Sequence, residues 1–212
     1  MNALPAHRRD PDHTRQVLLD AAFQEIYRNG FQAASLEQIL KDTEVTKGAL
    51  YHHFKSKREL GYAVIEEVIR PMLLADWLAA LTETDDPLAS LRRIIGQLMD
   101  DERAQMACTQ GCPLNNLAQE MSPLDEGFRQ RIHSLFETWR RSIAQALRQG
   151  QAHGTVRDDV DPDAMATFVL AAFEGTIGIM KNSQDIKILE ESMKGLDRFL
   201  STLEPDPTAS DV

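Results

Sequence analysis

Apolar positions recur at helical spacing along most of the chain. Leu18, Leu19, Ala22, Phe23 and Ile26 form one stripe, and Gly30 closes it as a left-handed cap. Leu36, Ile39 and Leu40 follow behind Ser35, which makes a capping box with Gln38. Thr46 heads a short helix through Leu50 and Phe54, and Ser56 with Glu59 opens a longer one over about residues 57–81. Pro71 lies inside that helix. Proline removes a backbone hydrogen bond and clashes with the preceding turn, so a kink is expected there. Asp86-Pro87 and Asp161-Pro162 each set a capping acid before proline at the first helical position. Ser122-Pro123 is read the same way, for a helix ending at Gly150, and Gly111 and Pro113 bracket a break between two helices. No alternating β-branched run bounded by turn pairs is present, so no strand is predicted. The pattern predicts an all-α chain of about nine helices. A small three-helix unit spans 1–56, a helical bundle spans 57–204, and a frayed tail spans 205–212.

Composition narrows the class. With 42% hydrophobic and 26% charged residues, the 212-residue chain has the balance of a soluble globular protein. The net charge of −10 argues against a nucleic-acid partner until the chain is divided. Residues 1–60 carry 9 Lys and Arg against 8 Asp and Glu, whereas residues 61–212 carry 14 against 25. The acid therefore lies in the C-terminal part, and this asymmetry suggests a division of labour. The apolar run Ala164–Met180 is interrupted by Glu174 and is shorter than the roughly 20 residues that cross a bilayer. Met1–His13 has no apolar stretch, so neither signal peptide nor membrane is expected and the cytoplasm is the expected location. Two cysteines, Cys108 and Cys112, are too few for a disulfide framework or structural zinc. Among the six histidines only His52 and His53 are adjacent, and no His-x-x-x-His, phosphate loop or nucleophile elbow occurs. No enzyme, metal or cofactor is expected. A helical protein–protein adaptor stays open as an alternative.

The stretch from Ser35 to Lys57, SLEQILKDTEVTKGALYHHFKSK, has the spacing of a helix-turn-helix. In that motif the second helix enters the major groove of double-stranded DNA. Thr46 offers a hydroxyl at a positive helix end, Lys47 adds charge, and Gly48 lets a backbone approach closely. Tyr51, His52 and His53 follow, with hydrogen-bonding tips and flat rings for base edges or phosphates. Lys55 and Lys57 come next as phosphate anchors. Leu50 and Phe54, four apart, are read as core, and Ser35 as a cap that also faces DNA.

NGFQAASLEQILKDTEVTKGALYHHFKSKRELGYAVIEE resembles the N-terminal domain of the tetracycline-repressor (TetR) family of bacterial regulators, most specifically in TKGALYHHFKSKREL. The resemblance implies a palindromic operator, repression, and release by a small-molecule effector. It also implies DNA contacts by Thr46, Lys47, Gly48, Tyr51, His52, His53 and Lys57, with Ser35 and Lys55 beside them. GCPLNNLAQEMSPLDEGFR is similar to a C-terminal type in one branch of that family. Members of that branch respond to small metabolites or electrophiles, and a cysteine in the place of Cys112 can take part.

By the same resemblance, the helices after Ser56 form a bundle with an internal cavity. Candidates to line it are Met72, Trp77, Leu98, Cys112, Asn115, Asn116, Phe136, Trp139 and Phe173. Asn115 and Asn116 are favoured, because amides beside an apolar helix need partners that a ligand could supply. Cys108 and Cys112 are either inert buried thiols or a sensor, and a sensor needs an exposed thiolate of low pKa, with only Arg103 near in sequence to lower it. The last two helices, about 162–181 and 185–203, are expected to pair with a second copy. Ala164–Met180 supports this by being apolar nearly all round, although a central core helix of a monomer has the same composition.

Overall fold

The computed structural model describes residues 11–82, 84–99 and 102–206. Most of the tail expected over 205–212 lies outside the described residues, which hold helices and no strand. In chain order these are α1 (Pro11–Asn29), α2 (Leu36–Thr43), α3 (Lys47–His53) and α4 (Lys57–Ala63), then a π-helical stretch (Val64–Ile69). There follow α5 (Arg70–Thr82), α6 (Pro87–Met99), α7 (Glu102–Gln110) and α8 (Pro113–Met121). Last come α9 (Glu126–His153), α10 (Pro162–Ser183) and α11 (Lys187–Ser201).

Capping chemistry explains most helix starts. Ser35, Thr46 and Ser56 accept hydrogen bonds from the backbone N–H groups of Gln38, Ala49 and Glu59. Asp86 and Asp161 do the same for Ala89 and Asp163, with proline next in each case. Gly30 closes α1 at φ +80°. Two expected boundaries move. The cap before α9 is Asp125, bonded to the Phe128 N–H at 3.0 Å, and Ser122-Pro123 belongs to the preceding turn. The helix also passes through Gly150 and ends at Gly154, in the left-handed region at φ +73°. Gly150 is a packing glycine: a Cβ there would sit 2.6 Å from Val156 Cγ2 and 2.7 Å from Pro87 Cγ.

The expected long helix is a run of three pieces. Pro71 is the second residue of α5, and the stretch just before it is widened to π geometry, with the Arg70 N–H donating to Ile65 O. That widening accommodates the proline ring against the preceding turn. The count of about nine rises because of these pieces and because 87–110 holds two helices rather than one.

One apolar core runs through the chain. Leu18, Ala22, Leu50 and Phe54 fill the N-terminal part, and Leu60, Val64, Ile65 and Ile69 carry the core onward. From there it reaches Phe128, Ile132, Leu135, Trp139 and Ile143 on α9. α9 packs against α5, α8 and α10. At the junction Phe31 and Phe128 lie 4.5 Å apart between ring centroids, with Gly61 wedged beside them. Burying one such phenylalanine contributes about 1.5–3 kcal/mol.

Candidate nucleic-acid interface and ligand cavity

α2, the following turn and α3 form a helix-turn-helix. Glu44 takes the left-handed conformation at φ 55°, and the Thr43 hydroxyl donates to Ile39 O, so the chain reverses in a few residues. Leu50 and Phe54 fix α3 from below, both buried. On the other face Thr46, Lys47, Gly48, Tyr51 and His52 are exposed, Tyr51 at 43%, and His53 is half-buried. A Cβ on Gly48 would meet nothing within 4 Å, so the fold itself has no need of a glycine there. His52 and His53 stand edge to face at 5.4 Å, and Lys55 is exposed beyond them.

α1 and the α1–α2 loop are gripped from the bundle. Both oxygens of Glu120, on α8, accept backbone N–H bonds from Phe31 and Gln32, each 2.8 Å. The Tyr27 hydroxyl donates to the carbonyl of Gly111, at the entry to α8. The Tyr62 hydroxyl donates to Asp125 at 2.6 Å, and Arg15 pairs with Glu67. α8 thus touches the α1–α2 loop at its far end.

Its near end borders a cavity of about 330 Å³. Phe23, Gln24 and Tyr27 of α1 form one wall, with Met72, Leu73 and Trp77 of α5 beside them. Cys112, Trp139, Phe173 and Ile177 close the other side. Trp77, Trp139 and Phe173 meet edge to face at centroid separations of 4.9, 5.4 and 5.8 Å. A neighbouring cleft of about 610 Å³ shares Phe23, Tyr27 and Pro113 and is bordered by Asn115, Asn116, Gly178 and Lys181. Glu174 of α10 is buried, and burial pushes its carboxyl up to about 7. Burial and this carboxylate together push the Cys112 thiol well above its ordinary range.

Two family models match the chain. Residues 18–64 match the bacterial regulatory proteins of the tetR family, and residues 87–196 match the tetracyclin repressor-like C-terminal domain. The chain belongs to the tetR family. The transcriptional regulator AcuR of Cereibacter sphaeroides is 33% identical over 168 residues, 79% of this chain and 76% of its own. The transcriptional repressor DhaR of a Mycobacterium species is 27% identical over 189 residues, 89% of each chain. The crystal structure of regulatory protein TetR from Rhodobacter sphaeroides superposes with a TM-score of 0.77 at 31% identity, over 87% of this chain and 97% of that one. Like other tetR-family members, the protein is a DNA-binding transcriptional regulator and not an enzyme.

Within this tetR-family fold the expected site residues separate. Ser35, Thr46, Lys47, Gly48, Tyr51, His52, His53 and Lys55 lie on or beside the helix-turn-helix. The Lys57 ammonium donates to Gln32 O at 2.9 Å and sits 5.0 Å over the Phe31 ring, and burial lowers its pKa, so it also ties the start of α4 to the α1–α2 loop. Met72, Trp77, Cys112, Trp139 and Phe173 converge on the 330 Å³ cavity. Asn115 and Asn116 border the adjoining cleft instead, and Asn116 already has its partners: it donates to Gln110 O and accepts from Lys181 Nζ. Phe136 borders neither and packs on the core. The Leu98 and Arg103 side chains lie outside the described residues.

Sequence reading missed Tyr27, Glu120 and Glu174. Glu120 stands inside the quoted NNLAQE run, and Glu174 is the lone charge in the apolar stretch 164–180, so both had a visible signal. Tyr27 had none.

Proposed function

We propose that this chain is a repressor that binds a palindromic operator as a homodimer and leaves it when a small molecule occupies the 330 Å³ cavity. The observation that carries the reading is the shared wall. Phe23, Gln24 and Tyr27 belong to the helix that packs on α2 and α3, and they also line the cavity. A ligand pressing on Tyr27 acts directly on the DNA-reading unit, and α8 adds a second link through Glu120. Release is then a population shift driven by different ligand affinity for the DNA-competent and DNA-incompetent arrangements.

Regulators of this family act as dimers on operator DNA. The outer face of α10 suits that role here. Ala164, Thr167, Phe168, Ala171, Gly175, Gly178 and Ile179 are exposed at three- and four-residue spacing, Phe168 at 50% and Ile179 at 59%. A Cβ on Gly175 or Gly178 meets nothing in its own subunit, which leaves room for a second helix. Phe199 of α11 packs tilted against Phe168, ring centroids 4.5 Å apart, and extends the seam. α10 has 22 residues, so the helix is longer than its apolar run and by length and composition could span a bilayer. Its packing against α7, α9 and α11, with Glu174 buried among them, favours a seam between subunits over a lipid contact, and a cytoplasmic location.

DNA contact rests on Thr46, Lys47, Gly48, Tyr51 and His52, with Ser35, His53 and Lys55 at the margins. Two copies set roughly 34 Å apart read the two half-sites. Fluorescence anisotropy with fragments from the chain's own locus tests the reading. Log affinity is expected to fall steeply with log salt and to vanish in Tyr51→Ala. Indifference to salt and to Tyr51→Ala would sink it.

A further inference from the structure

The 330 Å³ cavity has a chemical character of its own. Among the described residues that line it, none is an aspartate, glutamate, lysine, arginine or histidine. Its deep wall is aromatic. Trp77, Trp139 and Phe173 are buried there and meet edge to face, and on the α1 side Phe23 stacks on Tyr27 at 5.5 Å. The polar side chains in the lining are uncharged. The Tyr27 hydroxyl already donates to Gly111 O, and the buried Cys112 is held as a thiol, its pKa well above the ordinary range. Gln24, Met72 and Met106 are the exposed members of the lining and mark the mouth, Met72 at 39% and Met106 at 44%. A dry apolar cavity of about 150 Å³ holds a benzene ring, so this one leaves room for a substituted ring or for two rings.

We propose that the effector is a small, uncharged, mainly apolar molecule of one or two rings. The inference deepens the effector reading above and rests on it. An ion entering this cavity gives up its water and meets no counter-charge, since the buried carboxyl of Glu174 is not part of the lining. Aromatic faces attract a desolvated cation, but by far less than its lost hydration costs. A carboxylate gains nothing from those faces, which are the negative side of the aromatic quadrupole. An uncharged apolar ligand gains from the whole surface, because burying apolar area is favourable and needs no polar partner. The Met72 and Met106 side chains are unbranched and polarisable, which lets the mouth adapt to such a molecule.

The test is a titration of the full-length protein without DNA at neutral pH, read by tryptophan fluorescence. Trp77 and Trp139 are the chain's two tryptophans and both line the cavity, so the signal reports on its occupancy. The probes are ethylbenzene, 3-phenylpropanoate and 2-phenylethylammonium, which share a phenylalkyl body and differ in charge. Ethylbenzene is expected to bind about tenfold or more tightly than either ion. Met72→Arg sets a cation at the exposed mouth, and is expected to raise phenylpropanoate affinity about threefold and to lower that of the ammonium. Met72→Glu is expected to do the reverse. A substitution that merely loosens the fold moves both ions the same way. The comparison of the three probes on the parent protein stands even where a variant fails to fold. Parity of ethylbenzene with either ion, preference for an ion, or a response to Met72→Arg and Met72→Glu that is the same for both ions overturns the proposal. Failure of all three probes, with promoter DNA still bound, also overturns it while leaving the regulator reading intact. Absence of DNA binding beside a preserved preference for ethylbenzene strikes the regulator reading alone.

Discussion

The outer face of α3 and the cavity beneath it are built on opposite principles. The α3 face gathers its chemistry from a single stretch, Thr46 to Lys55, and turns it outward, with Gly48 left bare. The cavity draws one to three residues each from α1, α5, α7, α8, α9 and α10 and turns inward. α1 packs on α2 and α3 and also lines the cavity, and α8 reaches from the α1–α2 loop to the cavity. The comparison teaches that an exposed face on one short helix is written locally, whereas a cavity is assembled by packing.

The largest expected effect separates the two regions outright. Lys47→Ala or Tyr51→Ala removes a contact from each subunit, so operator affinity should fall by about 2–6 kcal/mol per dimer. Ligand binding measured by dialysis should be unchanged. Joint loss of both functions would mean that the surface and the cavity are not separable.

Glu174 gives the next effect, on the cavity side. Its carboxyl is held up to about 7 against an ordinary 4.5. The folded chain therefore keeps a proton that the unfolded chain has released. That stability is fully present below about pH 4.5 and is lost as pH rises through about 7. Urea unfolding at pH 5 and pH 8 should show the parent losing about 2–3 kcal/mol relative to Glu174→Gln. Parallel pH profiles for the two proteins would remove Glu174 from the account.

Glu120→Gln probes the link between the regions. It weakens two charge-assisted bonds to the Phe31 and Gln32 backbone, at a cost of about 1.5–3 kcal/mol. The expected outcome is a shallower loss of operator binding on ligand addition, with ligand affinity itself retained. An unaltered release curve would leave Tyr27 and the shared α1 wall as the sole link.

The smallest effect is the most diagnostic for α3. Gly48→Ala should stabilise the helix by about 0.5–1 kcal/mol, since the added methyl meets nothing in the fold. Operator affinity should nonetheless drop, because the DNA backbone needs that space. A Gly48→Ala protein that melts higher and binds DNA as before would show the glycine to be incidental.

Legibility followed the same division. The Leu50–Phe54 pair, the Thr46 cap and the outward Lys47, Gly48 and Tyr51 could all be read from the sequence, because three- and four-residue spacing assigns faces on one short helix. Five cavity residues could be named as apolar or thiol candidates. Asn115 and Asn116 border the adjoining cleft, where Gln110 and Lys181 already serve Asn116. Cys112 has neither the exposure nor the lowered pKa that a thiolate sensor needs.

The chain's own order of residues determined its helices, its caps at Ser35, Thr46, Ser56, Asp86 and Asp161, and the exposed face of α3. Each depends on side chains reaching backbone groups two or three residues away. Tertiary structure alone decided that Glu25 takes the Ser35 N–H, that Glu120 holds residues 88 and 89 positions distant, and that Lys57 turns inward to Gln32. It alone decided that Trp77, Trp139 and Phe173 meet the same cavity. The reason is physical: local hydrogen bonds are set by backbone geometry within a turn, whereas the partner of a side chain across the core depends on how whole helices pack.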